Sequence, residues 1–336
     1  MSAARWLQGR WFGAGLSPAL LPLLPLWALF VALSNLRRGL YRYGWLRVER
    51  LPVPVIVVGN ITVGGAGKTP LTLWLARELR RRGRSPGIVS RGYGSSSREP
   101  RPVLIDADPE ETGDEPLLLA RRSGLPVWVG RDRAAAARAL LATHPVVDII
   151  LCDDGLQHYR LGRDAEAAVF DGRGAGNGWR LPLGPLREPL SRLDTVDAVV
   201  CNGACSLPMR AVRRFDMVLR SGDFHALNDP AVTAGADTLK NRPLHAVAGI
   251  GDPERFFRTL ESLGLRFTRH PFHDHHAYRA EDLAFGDGAV VLMTEKDAVK
   301  CAGLTVGEAW VLPVEADVSP ALVDTLLEKI SGRQAS

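Results

Sequence analysis

The stretch "VIVVGNITVGGAGKTP", Val55 to Pro70, decides the fold of this chain. Its first residues form a continuous apolar, β-branched run, the composition of a strand buried on both faces of a parallel sheet. The residues that follow, "KTPLTLWLARELRRRG", place Leu71, Trp74, Leu75 and Leu79 at helical spacing, with Pro70 in the first turn, arginines in the last and Gly83 as the stop. Strand, glycine loop and helix in that order make a phosphate cradle. Backbone N–H groups at the helix start meet phosphate oxygens, and a loop lysine reaches the outer phosphates. The usual pattern G-x-x-x-x-G-K-[ST] has a glycine at position 62, where this chain has Thr62. Gly59 can supply the exit turn, so Thr62 is expected to change only the local loop shape. Gly64, Gly65, Ala66, Gly67, Lys68 and Thr69 are the nucleotide candidates, with the Thr69 hydroxyl also placed for magnesium.

Working outward, apolar runs recur at 87–90, 126–130, 146–154, 166–171 and 196–203, with the alanine-rich helical stretch "RDRAAAARALLATH" between two of them. Alternating strands and helices predict a doubly wound, mostly parallel α/β sheet of the P-loop NTPase kind. The run "VVDIILCDDG" ends in Asp153 and Asp154, at the carboxyl end of a buried strand where such sheets bind ligands. Two adjacent carboxylates repel unless a cation offsets them, so both are candidates to hold magnesium beside a nucleotide triphosphate. After about residue 215 the rhythm loosens and resumes in shorter form. The expected division is 1–50 as a membrane-associating segment, 51–215 as the nucleotide core and 216–336 as a smaller α/β domain. In the closing stretch "SPALVDTLLEKISGR", Ser319 is expected to cap a helix, Pro320 to open it and Gly332 to follow its end.

Composition narrows the class. With 46% hydrophobic and 24% charged residues over 336 positions, this is an ordinary folded chain able to bury a full core. Its four cysteines show no metal or disulfide spacing. The net charge of +5 is unevenly placed: residues 1–50 carry seven arginines against Glu49, while the other 35 basic and 36 acidic residues leave −1. That positive excess flanks the uncharged segment Leu16 to Leu33, which points to an anionic lipid surface and not to nucleic acid. Pro18, Pro22 and Pro25 interrupt the segment, so an interfacial anchor is expected in preference to a spanning helix, a signal peptide or a buried soluble helix.

The blocks "GNITVGGAGKTP", "SRGYG" (90–94), "TGDEP" (112–116), "DDGLQH" (153–158), "GNGWRLPLGPLREP" (176–189), "AVAGIGDPERFF" (246–257) and "MTEKDAVK" (293–300) resemble, in order, the signature blocks of the tetraacyldisaccharide 4'-kinase family. The resemblance implies an ATP- and Mg2+-dependent transfer of the γ-phosphoryl group to the 4'-hydroxyl of an acylated glucosamine disaccharide 1-phosphate. It further implies a monomer at the cytoplasmic face of the bacterial inner membrane. It also implies that Asp114 pairs with a histidine of the "HPFHDHHAYR" cluster, His275 by position, with neighbouring His276 left as the alternative. Glu115 becomes a further magnesium candidate. Tyr93, Arg133 and Arg187 are carried over toward the nucleotide, and Arg91, His158 and Lys296 toward the acceptor.

The rival within nucleotide-binding proteins is a membrane-associated GTPase or ATPase switch of the metallochaperone type, although the guanine-reading N-K-x-D string is absent. A nucleotide sensor without chemistry is the reading from another class; it would need no Asp114 and histidine pair.

Overall fold

The structure, a computed structural model, describes residues 3–13, 15–92, 99–207, 213–286, 288–301, 303–304 and 306–334. Tyr93, expected near the nucleotide, lies outside them. Among the described residues there are two sheets. The first is nine-stranded and contains β1 (Val55–Gly59), β2 (Pro86–Ser90), β3 (Arg101–Pro102), β4 (Val127–Val129), β5 (Ile149–Asp153), β6 (Ala165–Asp171), β7 (Ala198–Asn202), β8 (Arg213–Ser221) and a strand returning late in the chain. The second is six-stranded: β9 (Phe224–Ala226), β10 (Thr233–Ala234), β11 (Leu244–Ala248), β12 (Phe267–Pro271), β13 (Val290–Thr294) and β14 (Ala309–Leu312). The returning strand is β15 (Val314–Val318).

The first sheet runs β15-β8-β7-β6-β1-β5-β2-β4-β3, parallel except at its two ends, where β15 and β3 pair antiparallel. β1 has β5 on one side and β6 on the other, so the strand order reverses beside it. An open α/β sheet leaves a crevice at such a reversal, and the glycine loop leaves β1 into it. Helices cover both faces: α3 (Lys68–Arg81), α5 (Asp114–Ser123) and α10 (Ala321–Gln334) pack on one side, and α6 (Arg133–Thr143) on the other, while the short α4 (Pro109–Thr112) leads into α5. The period of two along β1 explains this double cover. Ile56 and Val58 join the cluster with Leu71, Leu75 and Leu326, whereas Val55 and Val57 join that with Leu140 and Phe170. All five β1 residues are buried, as the apolar run predicts.

The helix after the glycine loop ends as expected, with Gly83 at φ 74 and its N–H donating to the Arg80 carbonyl. The last helix does not. It begins at Ala321 and continues through Gly332 to Gln334, so Gly332 is not its stop. One glycine costs a helix only about 1 kcal/mol, too little to end it where no later element pulls the chain aside.

The sheets also divide the chain elsewhere than at residue 215. β8 adds to the first sheet beside β7, and β15 with α10 returns to it, burying Met217, Ala316, Val318 and Leu322 in the same cluster as Ile56. The second sheet is thus inserted between β8 and β15. It carries α7 (Ala236–Leu239), α8 (Pro253–Ser262) and α9 (Glu295–Lys300). The looser rhythm after residue 215 begins in β8, which is half-exposed yet still paired within the first sheet, and the chain enters the second sheet only at β9.

At the N-terminus, α1 (Ala3–Trp11) precedes a 3-10 turn at Pro18–Leu23, which runs into α2 (Leu24–Arg42). Trp11, Leu20 and Leu183 form a small buried cluster, and the Trp11 indole donates to the Pro182 carbonyl at 2.9 Å. α2 buries none of its residues fully. It rests side-on: Trp27 meets Trp179 edge-on at 5.2 Å, Arg180 donates to Asn35 at 2.9 Å, and Tyr41 lies 5.8 Å from Tyr159.

Candidate active site

The glycine loop spans the turn between β1 and α3. Gly64 and Gly67 hold φ of 99° and 98°, a region closed to most side chains. A Cβ at Gly67 would also sit 2.7 Å from Asn202 Nδ2, because that amide donates to the Ala66 carbonyl. Asn60, fully buried, donates to the Gly64 carbonyl at 3.2 Å and to Thr62 Oγ1 at 3.4 Å. Thr62 forms a bridge with Leu186, and its carbonyl accepts from Arg187 Nε at 3.1 Å. The missing glycine is thereby accounted for: position 62 is held by the 185–187 segment and needs no special φ.

Asp153 and Asp154 close β5 beside this loop and differ sharply. Asp154, at φ 47, faces Lys68 Nζ at 3.6 Å and Arg187 at 3.2 Å. Burial works against its charge, but Lys68 and then Arg187 outweigh that and hold its carboxyl at about 2. Asp153 is wholly buried. Its Oδ1 accepts from Thr72 at 2.9 Å, while Oδ2 has no hydrogen-bond partner. Burial, followed by the nearby Glu115 charge, pushes its carboxyl up to about 7. An orphaned carboxylate oxygen whose charge Lys68 offsets only in part is what a hard divalent cation would satisfy. Among the described residues no set of three or more His, Cys, Asp or Glu side chains stands ready for a metal. Magnesium needs no such cage, since it takes one or two carboxylates with phosphate and water oxygens, so the residues present fit it.

Across the cleft the second sheet contributes a loop and α9. His275 Nδ1 lies 3.0 Å from Asp114 Oδ2, where Asp114 opens α5. His275 holds φ 58, a left-handed conformation uncommon for its type and concentrated at functional positions. His276 turns away, with Nε2 3.0 Å from Asp282 Oδ2 and Nδ1 3.1 Å from His273. The structure therefore brings His275, not His276, to Asp114. Lys296 Nζ is surrounded by carboxylates: Glu115 at 3.1 Å, Asp274 at 3.5 Å and Asp114 at 3.8 Å. Burial alone would lower its pKa, but Glu115, Asp114 and Asp274 outweigh burial and raise it. Asp114 is also subject to burial, yet the His275 hydrogen bond and then Lys296 hold its carboxyl below the ordinary range.

Between these walls lies a cleft of about 290 Å³. Gly65, Gly67, Lys68 and Thr69 line its polar end, and Ile250, Phe256, Leu312 and Val314 its apolar end, a shape suited to a phosphate chain joined to a flat base. Two residues at this junction escape sequence reasoning. Asn202 receives Arg255 Nη2 at 3.2 Å while bonding Ala66, so it ties α8 of the inserted part to the glycine loop. The available signal for Asn202 is a polar residue ending an apolar strand, and for Arg255 its place in "GDPERFF".

The remaining expected residues fall in several places. Arg133 donates to the Asp154 carbonyl at 2.9 Å, and Arg187 spends its guanidinium on Asn60, Thr62 and Asp154; both brace the loop and the acidic strand end. Arg91 is exposed just past β2. The mostly buried His158 is pushed down to about 3 by burial, with Arg133 adding to it, and its Nε2 has no hydrogen-bond partner. Lys296, expected toward the acceptor, has its charge satisfied by the chain's own carboxylates.

Comparison with known proteins places the chain in a family. The family model for tetraacyldisaccharide-1-P 4'-kinase matches residues 19–331. A tetraacyldisaccharide 4'-kinase of Dechloromonas aromatica is 62% identical over 336 residues, covering 99% of both chains. One from an Azoarcus species is 52% identical over 315 residues, covering 93% of this chain and 92% of its own. Among solved structures, the LpxK of Aquifex aeolicus in complex with ATP superposes with a TM-score of 0.80 at 29% identity, covering 92% of this chain and 98% of that one. Full-length identity of this order, together with the same fold, leaves one conclusion: the chain belongs to the tetraacyldisaccharide 4'-kinase family.

Proposed function

We propose that this kinase transfers the γ-phosphoryl group of ATP to the 4'-hydroxyl of a tetraacylated glucosamine disaccharide 1-phosphate, with the Asp114 and His275 pair taking the hydroxyl proton. The observation that carries this reading is the 3.0 Å contact between His275 Nδ1 and Asp114 Oδ2, next to Glu115 and Lys296, which line the cleft together with the glycine loop. Phosphoryl transfer asks a protein for in-line positioning, charge neutralisation and a proton acceptor. Backbone N–H groups of Gly64 to Lys68 and the Lys68 ammonium meet the triphosphate. Asp153, Asp154, Thr69 and Glu115 are the residues that would hold magnesium, which offsets phosphate charge when bound. Asp114 stays ionised because His275 and Lys296 offset its burial, and it orients the imidazole, a group able to take up the hydroxyl proton. Lys296 acts as a positioning residue that holds Asp114, Glu115 and Asp274 together.

The acceptor carries acyl chains, and α2 supplies a surface for a bilayer. Leu26, Leu29, Leu33 and Leu36 are each more than half exposed and recur at helical spacing. The 25-residue segment Pro18–Arg42 has the length and apolarity of a span. Its side-on contacts through Trp27, Asn35 and Tyr41 support a helix lying on the cytoplasmic surface of the inner membrane.

Incubation of the purified chain with γ-labelled ATP, magnesium and the detergent-dispersed disaccharide 1-phosphate tests the reaction. Label in the lipid at the 4' position is expected. Nucleotide hydrolysis alone, indifferent to the acceptor, would return the chain to the switch reading.

A further inference from the structure

A second hollow lies away from the catalytic cleft. It is a pocket of about 650 Å³ beside the last turn of α2, and its charged lining consists of arginines alone: Arg38, Arg42, Arg50, Arg163 and Arg192. Two of these are committed, since Arg163 and Arg192 both bond Glu166 at the floor. Arg42 makes no ion pair or hydrogen bond among the described residues, Arg38 meets the buried Glu188 only through the longer reach of its charge, and Arg50 reaches Asp164 only at 3.9 Å while largely exposed. The dipole of α2 accounts for one cation at its C-terminus, not for cations converging from four segments. Like charges so gathered repel one another unless an anion sits between them.

The pocket stands apart from the reaction. Arg50 lies just before β1, and Thr195, which also lines it, just before β7, at the N-terminal ends of strands whose C-terminal ends carry the glycine loop and Asn202. The five residues of β1 span about 17 Å, longer than a disaccharide reacting at the far end would bridge. Its position matches the bilayer surface instead, because Arg42 follows Leu36, the last of the exposed leucine row, by under two helical turns.

We infer that this arginine pocket binds the phosphate of an anionic bilayer phospholipid, a second lipid site separate from that of the acceptor. The inference rests on the membrane-docking reading above, which binding to neutral vesicles tests by itself. The full chain is floated with phosphatidylcholine vesicles and with vesicles containing phosphatidylglycerol, and the ratio of the two partition coefficients is read. The combined variant Arg38→Ala and Arg42→Ala is expected to lower that ratio by roughly 10- to 30-fold, at about fivefold per basic residue near an anionic surface. The control pair Arg37→Ala and Arg47→Ala, outside the pocket, is expected to lower it by several-fold less. Equal losses in the two pairs would reduce the effect to diffuse charge and overturn the site. A higher KM for detergent-dispersed acceptor in the pocket variant, with anionic preference intact, would assign the pocket to the acceptor's own phosphate and overturn it as well. Failure of the unmodified chain to bind neutral vesicles would count against docking itself, whatever the pocket does.

Discussion

His275 Nδ1 lies 3.0 Å from Asp114 Oδ2, although 161 residues separate them and they belong to parts built on different sheets. Their meeting joins the two parts, and Lys296 holds the arrangement from α9 through Asp114 and Glu115.

Asp114→Asn and His275→Ala should each lower kcat by on the order of 10²- to 10⁴-fold, the usual contribution of a proton-transferring group, with ATP affinity within a few-fold of the parent. His276→Ala, whose ring faces Asp282, should cost far less. Steady-state kinetics alongside ATP titration checks this; a variant of the pair with parental kcat would remove it from the mechanism.

The loop glycines should separate by experiment. Gly67→Ala meets Asn202 and adopts an unfavourable φ, so thermal stability and ATP affinity should both fall, at a cost of about 1–3 kcal/mol. A Cβ on Gly65 meets nothing in the chain but projects at the phosphate end of the cleft. Gly65→Ala should keep its melting temperature and lose ATP affinity. Identical behaviour of the two would show that the cradle is set by something other than these contacts.

Asp153 gives a pH signature whose sign follows from its carboxyl lying at about 7 instead of 3.8. Between those values the unfolded chain releases the proton and the folded chain keeps it. Stability from this group is therefore full below pH 3.8 and is lost as pH rises toward 7. Asp153→Asn mimics the protonated form, so its melting temperature should gain on the parent from pH 4 to pH 8 in the absence of nucleotide. It should also lose the further stabilisation that magnesium and ATP give the parent. Parallel melting curves across that range would refute the assignment.

Lys296→Met leaves Asp114, Glu115 and Asp274 without their shared cation. Of the three only Asp114 is buried, so removing the cation costs about 1–3 kcal/mol, and melting should fall by a few degrees and kcat with it. Lys296→Arg should recover part of the stability. A melting temperature unchanged in Lys296→Met would mean that the carboxylates do not depend on this cation.

Leu26→Ser with Leu33→Ser should release the chain from vesicles by roughly tenfold or more while leaving its melting temperature unchanged, because both side chains are more than half exposed. Sedimentation with liposomes and a melting scan together make the test. Unchanged sedimentation would move the membrane contact away from this face.

The residue order alone determined the phosphate loop, the buried parallel strands with their covering helices, and the acidic end of β5, because period-two and period-3.6 patterns are local and survive without any partner. It also marked out the apolar, arginine-flanked segment Leu16 to Leu33 as distinct from the rest of the chain. Tertiary structure alone decided the rest. Thr62 is tolerated because Leu186 and Arg187 hold it; β15 and α10 return to the first sheet because their apolar residues complete its face; and His275 faces Asp114 while His276 meets Asp282 because the loop turns through a left-handed residue. Each of these depends on groups far apart in the chain, whose contact free energies exist only once the sheets have closed on one another, so no window of sequence carries them.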